Sequence, residues 1–241
     1  MICTPLERNF GKLYYKYLLF DLDHTLLDFG LAENIALTQL LEEAEVSDVD
    51  AYKNYYIPMN QGLWDDLARK KITKKELIET RFERLFANFG HEVNGIYFAK
   101  RYQHFLSQQG QTFSGAAALL SQLQDDGYRL FAATNGVTYI QKGRLERSDI
   151  QSYFEQVFIS DEIQEQKPDK AFFDVITGAV TGFSPGQALM IGDSLISDIQ
   201  GGNNAGINTV WYNPSQKTNN TKARPTYTIS SYADLISLLE D

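Results

Sequence analysis

An α/β fold built on a doubly wound parallel sheet, interrupted by one all-helical insertion, is the architecture this 241-residue sequence predicts. Three observations carry it. Short apolar runs of strand length alternate with helical stretches, at the start of the chain and again from Phe113 onward. Between them, from Leu31 to about Leu106, apolar residues recur only at helical intervals. The least ordinary polar residues, Asp21, Thr134 and Asp193, each end a predicted strand, where open parallel sheets bind their ligands.

The first strand is Tyr17-Leu18-Leu19-Phe20, apolar throughout as a strand covered on both faces must be. It runs into Asp21-Leu22-Asp23-His24-Thr25, whose two acids would point to one side if the chain stayed extended. The insertion takes residues 31–107 and leaves 1–30 and 108–241 as the core. Within it, Ile35, Leu37, Leu40 and Leu41 mark one helix. Leu77, Ile78, Phe82, Leu85 and Phe86 mark another, and Phe98, Tyr102, Phe105 and Leu106 a third. Thr73 followed by Glu76 is a capping box, while Gly62, Gly90 and Gly95 fall near expected turns. After the insertion a helix at 115–126 closes on Gly127, a residue suited to ending it. Strand 128–133 then leads into Thr134-Asn135-Gly136, followed by helix 137–147, strand 157–160 and helix 169–180. Strand 188–191 reaches Gly192-Asp193-Ser194, which opens another helix; strands 207–212 and 227–229 and a helix at 232–239 finish the chain.

Composition narrows the partners. With 22 basic and 31 acidic residues the chain carries −9, which argues against a nucleic-acid polymer or an anionic membrane. A local positive cluster could still hold a small phosphate ester. The single cysteine, Cys3, excludes an internal disulfide and fits a reducing cytoplasm. The first residues carry Glu7, Arg8, Lys12 and Lys16 and no apolar stretch, so no signal peptide is expected, nor any membrane-spanning segment.

An aspartate can attack phosphorus in line and form an aspartyl-phosphate, dividing ester hydrolysis into two displacements. Carboxylate and phosphate repel, so the attack needs positive charge. Asp21 and Asp193, expected on neighbouring strands, could hold Mg²⁺, a hard ion that takes one or two carboxylates. Lys167 supplies a fixed ammonium, and the Thr134 hydroxyl with its loop backbone supplies donors. Asp23, just beyond Asp21, is placed to protonate the leaving alkoxide and then to take a proton from the attacking water. Taken singly, Thr134-Asn135-Gly136 reads as a turn, Lys167-Pro168 as a loop and Gly192-Asp193-Ser194 as a helix cap. Their shared place at one sheet edge favours a site. His24, His91 and His104 show no ligand spacing and read as structural or surface residues.

In these four stretches the chain resembles the haloacid dehalogenase-like hydrolases, with Asp21-Leu22-Asp23-His24-Thr25, Thr134-Asn135-Gly136, Lys167-Pro168 and Gly192-Asp193-Ser194-Leu195-Ile196-Ser197-Asp198 in order. The resemblance implies a Rossmann-like core with a helical cap and a Mg²⁺-dependent phosphatase. Asp21 would be the nucleophile and Asp23 the general acid and base. The metal would lie on Asp21, the backbone carbonyl of Asp23 and Asp193, with Asp198 behind it near Lys167. The phosphate would be held around Asp21 by Thr134, Asn135 and Lys167.

The family's name misleads here, because expelling halide needs no proton and gains nothing from Asp23. A phosphomutase shares all four motifs. A phospho-receiver domain uses similar residues, but it is about half this length and lacks a cap; a silent binding protein is a further alternative. The stretches Asn60-Gln61-Gly62-Leu63-Trp64, Ile72–Leu77 and Arg81-Phe82 narrow the resemblance to the pyrimidine 5′-nucleotidase subgroup. It implies nucleoside monophosphates such as UMP, dUMP and dTMP as substrates, with phosphoglycolate or a sugar phosphate as the other reading. Asn60, Trp64 and Arg81 are the expected substrate contacts, within a surface rich in Tyr52, Tyr55, Tyr56, Phe82 and Phe86.

Overall fold

A computed structural model describes residues 14–240; the readings on Cys3 and on the charged residues up to Lys12 lie outside that range. Among the described residues six parallel strands form one sheet: β1 (Tyr17–Phe20), β2 (Arg129–Thr134), β3 (Gln156–Ile159), β4 (Ala188–Gly192), β5 (Asn208–Tyr212) and β6 (Tyr227–Ile229). Their order is β3-β2-β1-β4-β5-β6, so β1 is central and the order reverses on either side of it. In register, Phe20 stands beside Ala132 of β2 and Ile191 of β4. Asp21 and Asp193 therefore leave adjacent strands at the same edge, as the sequence predicts.

The pleat of β1 divides the core. Leu18 and Phe20 join one cluster with Leu130, Leu189 and Val210, while Tyr17 and Leu19 join another with Phe131, Phe172 and Met190. Helices α5 (Ala116–Asp125) and α10 (Tyr232–Glu240) cover the first face; α8 (Lys170–Ala179) and α9 (Gln200–Ala205) cover the second, and the short α7 (Ser160–Ile163) follows β3. Gly127 sits at φ +89°, as a helix-ending glycine should.

Four helices separate β1 from the rest of the sheet: α1 (Phe29–Glu43), α2 (Val49–Ala68), α3 (Lys74–Asn88) and α4 (Gly95–Ser107). Each begins on a side-chain cap. Asp28, Asp48, Thr73 and Asn94 accept from the backbone N–H three residues on, at 2.9, 2.9, 3.1 and 3.0 Å. The Thr73 cap is the one legible in the sequence. Gly62 corrects an expectation: it lies inside α2, not at a turn, because Tyr52, Tyr56, Asn60, Leu63 and Leu67 keep helical spacing straight through it. Gly90 does sit in a turn at φ +79°, and Gly95 opens α4 at the end of the connection that follows it. The stripe on α2 is apolar except at Asn60, a buried amide that needs partners.

Helix α6 (Thr138–Glu146) packs against α4, and Gly143 permits it: a Cβ there would stand 2.7 Å from the Ser107 carbonyl oxygen. The helix expected after β4 starts differently. Ser194 accepts from Ser197 N–H and caps a single wide π-turn, Leu195–Ile199, that continues into α9. Among the described residues no helix is long and apolar enough to cross a membrane.

Candidate active site

The strand β1 ends at Phe20, and the chain then folds back on itself, with the N–H groups of Leu26 and Leu27 both donating to the Leu22 carbonyl. The two acids are consequently not side by side on an extended strand. Asp21 faces the end of β4, and Asp23 is turned toward α6. Both still line one cavity of about 530 Å³ between the sheet edge and helices α1 and α2.

At its floor, Lys167 is 1 % exposed and donates to Asp21 Oδ1 at 2.7 Å, to Asp198 Oδ1 at 2.7 Å and to the Ala133 carbonyl. Asn135 holds the lysine's loop in place: its Nδ2 donates to the Lys167 carbonyl at 2.7 Å and its Oδ1 accepts from Lys167 N–H at 2.9 Å. The Asn135 side chain is thus an anchor for the loop. The other oxygen of Asp198 accepts from Ser194 N–H at 3.0 Å. Gly192 makes room for that carboxylate, since a Cβ there would lie 2.2 Å from its oxygen.

Asp21, Asp193 and Asp198 each place a carboxylate oxygen within 4.8 Å of the others. Three acids face one ammonium, so two negative charges are left over in a buried space. Burial, with Asp198 and Asp193 adding to it, holds the Asp21 carboxyl well above its ordinary range despite the opposing pull of Lys167. Burial and then Asp198 push Asp193 up to about 7. Burial works against the Lys167 ammonium, but Asp198 and Asp21 overcome it and the lysine stays charged. An all-oxygen donor set with two more acidic groups than cationic ones fits a hard divalent cation.

Thr134 Oγ1 accepts from Gly136 N–H at 3.1 Å and from Gln141 Nε2 at 3.0 Å. With both lone pairs engaged, its own proton is left to be donated into the cavity. The same Gln141 amide donates to Asp23 Oδ2 at 2.6 Å, and fully buried Arg144 pairs with Asp23 Oδ1. Arg144 is fixed in turn by donating from Nε to the Gln109 carbonyl at 2.9 Å. Neither Gln141 nor Arg144 is singled out by the sequence, where polar residues three apart on a helix look like a solvated face.

The opposite wall is helical. Phe29, Gly30 and Glu33 of α1 and Ile57, Asn60, Gln61 and Trp64 of α2 line it. Asn60 and Trp64, expected as substrate contacts, are therefore at the cavity. Arg81 is not among its lining residues: it lies buried behind Asn60 and donates to Asn60 Oδ1 at 3.3 Å. Tyr52, Tyr55, Tyr56, Phe82 and Phe86 are also absent from the lining. They pack on other rings of the helices, Tyr52 against Phe89 with ring centres 3.8 Å apart and Tyr56 against Phe82 at 5.2 Å. Large aromatics gain most by burial, and in this helical layer they supply its core. His24 lines the cavity, beside Phe29.

Residues 18–212 match the family model described as haloacid dehalogenase-like hydrolase. The chain is 58% identical over 228 residues to pyrimidine 5′-nucleotidase PynA of Streptococcus pneumoniae, spanning 95% of this chain and 96% of that one. Pyrimidine 5′-nucleotidase YjjG of Escherichia coli is 29% identical over 225 residues, 93% of this chain and 98% of its own. The crystal structure of Bacillus subtilis YfnB bound to magnesium superposes with a TM-score of 0.90 at 38% identity, covering 94% of this chain and 99% of that one. Sequence and fold agree across the whole sheet and the helices inserted in it, and the chain belongs to the haloacid dehalogenase-like hydrolase family.

Proposed function

We propose that this chain is a cytoplasmic, Mg²⁺-dependent phosphomonoesterase that removes the 5′-phosphate of pyrimidine nucleoside monophosphates. The observation that carries it is Asp21 at the end of the central strand, with Lys167 on one oxygen, Asp193 beside it and Asp23 under the same cavity. Similarity to two pyrimidine 5′-nucleotidases supports the choice of substrate, and the magnesium-bound relative supports the ion. Residues 31–107 serve in this reading as the cap, and 1–30 with 108–241 as the hydrolase core.

Asp21 Oδ1 is held by Lys167, so Oδ2 is the oxygen that attacks phosphorus as the ester bond breaks. Lys167 and the Thr134 hydroxyl bind the transferred oxygens. Asp21, Asp193 and the Asp23 carbonyl would hold Mg²⁺, which supplies charge neutralisation for a dianion approaching a carboxylate. Asp198 lies behind them, tied to Lys167. Asp23 gives its proton to the leaving O5′. It then accepts one from the water that attacks the aspartyl-phosphate, releasing inorganic phosphate and restoring Asp21. Arg144 and Gln141 keep Asp23 oriented between these tasks.

Phosphoryl transfer is indifferent to what lies beyond the ester oxygen, so discrimination comes from the helical wall. Trp64 is the aromatic face offered there by α2, and a stacked base is worth roughly 1–3 kcal/mol. UMP, dUMP and dTMP are expected to show higher kcat/KM than phosphoglycolate, glycerol phosphate or glucose 1-phosphate at equal Mg²⁺. Trp64→Ala should narrow the gap by roughly fivefold or more. A sugar phosphate or phosphoglycolate leading by about tenfold would leave only the phosphatase class standing.

A further inference from the structure

Glu33 is a charged residue on the buried stripe of α1, between Ala32 and Ala36, and only 5 % of it is exposed. Its carboxylate is half satisfied. Oε1 accepts from Asn60 Nδ2 at 3.0 Å and lies 3.5 Å from the Tyr102 hydroxyl. Oε2 accepts from none of the described residues, and Glu33 lines the cavity. Asn60 is locked in one orientation, donating to Glu33 and accepting from Arg81. Buried Arg81 thereby backs the pair with positive charge. A largely buried carboxylate at a cavity wall is costly to keep with one oxygen lacking a donor.

We infer that Glu33 is a specificity residue whose free carboxylate oxygen accepts a hydrogen bond from the 3′-hydroxyl of the nucleotide sugar. The assignment rests on the nucleotidase reading above. The position of Glu33 favours sugar over base. Phe29 and Gly30, about one turn earlier on α1, line the same wall, and the charge of Asp23 is felt at Glu33. Asp23 acts at O5′ and Glu33 lines the same cavity, while Trp64 lies a further turn along α2 from Asn60. The same oxygen works against other substrates. A small acid such as phosphoglycolate would bring a second carboxylate toward Glu33 with no hydroxyl to offer, and like charges in a desolvated site repel strongly.

The test compares dTMP, its 3′-deoxy analogue and phosphoglycolate on the wild-type protein, Glu33→Gln and Glu33→Ala, above the pH near 7 to which burial pushes this carboxyl. Wild-type protein should prefer dTMP to the 3′-deoxy analogue by roughly tenfold or more in kcat/KM. Glu33→Ala should lose roughly tenfold on dTMP and bring the two to within about threefold of each other. Glu33→Gln, which keeps the shape of the wall, should raise phosphoglycolate relative to dTMP. Equal turnover of dTMP and its 3′-deoxy analogue by the wild-type protein would overturn the assignment without any variant having to fold. An equal loss on all three substrates in Glu33→Gln would overturn it too, reducing Glu33 to a structural acid. Wild-type protein that ignores dTMP while hydrolysing another ester would instead remove the nucleotidase reading, and this assignment with it.

Discussion

Asp21→Asn should abolish turnover, lowering kcat by at least about a thousandfold, because an amide cannot form the covalent phosphoryl intermediate. The substitution is nearly isosteric, so the fold should survive it. Asn Oδ1 can still accept from Lys167, and the lost negative charge relieves a cluster in which three acids face one ammonium. Loss of rate with equal or higher thermal stability is therefore the expected signature. Activity within tenfold of wild type, with contamination excluded, would mean that another group attacks phosphorus.

Lys167→Ala should damage both rate and stability. The ammonium is 1 % exposed and holds Asp21, Asp198 and the Ala133 carbonyl together. Removing one partner of a buried ionic cluster leaves the others uncompensated, at a cost of about 3–5 kcal/mol. The turnover rate should fall at least about a hundredfold, through loss of charge at the transferred oxygens. Added Mg²⁺ should recover part of the thermal stability, since the cation takes over some of the neutralisation, but little of the rate. A variant as stable and as active as wild type would return Lys167 to the role of an ordinary loop residue.

The sheet and its edge were legible because β1 and β4 are uninterrupted apolar runs and because Asp21 and Asp193 follow them at one edge, where Thr134 ends β2. Lys167 was legible by its motif, although nothing in the sequence says that Asn135 would anchor it with two hydrogen bonds. The helical insertion was clear as a whole and blurred in detail. Gly62 reads as a turn residue, but α2 passes through it because its buried stripe outweighs the modest cost of one glycine. The aromatics were noticed and misplaced: composition shows that they are many, not that they face each other. Arg144, Gln141 and Glu33 were invisible for one reason. A polar residue on an amphipathic helix reads as solvated, and only the tertiary fold turns these three inward.

The covalent role of Asp21 is tested most directly in an Asp23→Asn background with p-nitrophenyl phosphate as substrate. Nitrophenolate leaves without needing a proton, so the first displacement proceeds, while the second loses its general base and the intermediate accumulates. Acid quenching followed by peptide mapping should find one phosphoryl group per chain, on the peptide carrying Asp21. A phosphoryl group on any other residue, or an unlabelled protein after nitrophenolate release, would contradict the mechanism.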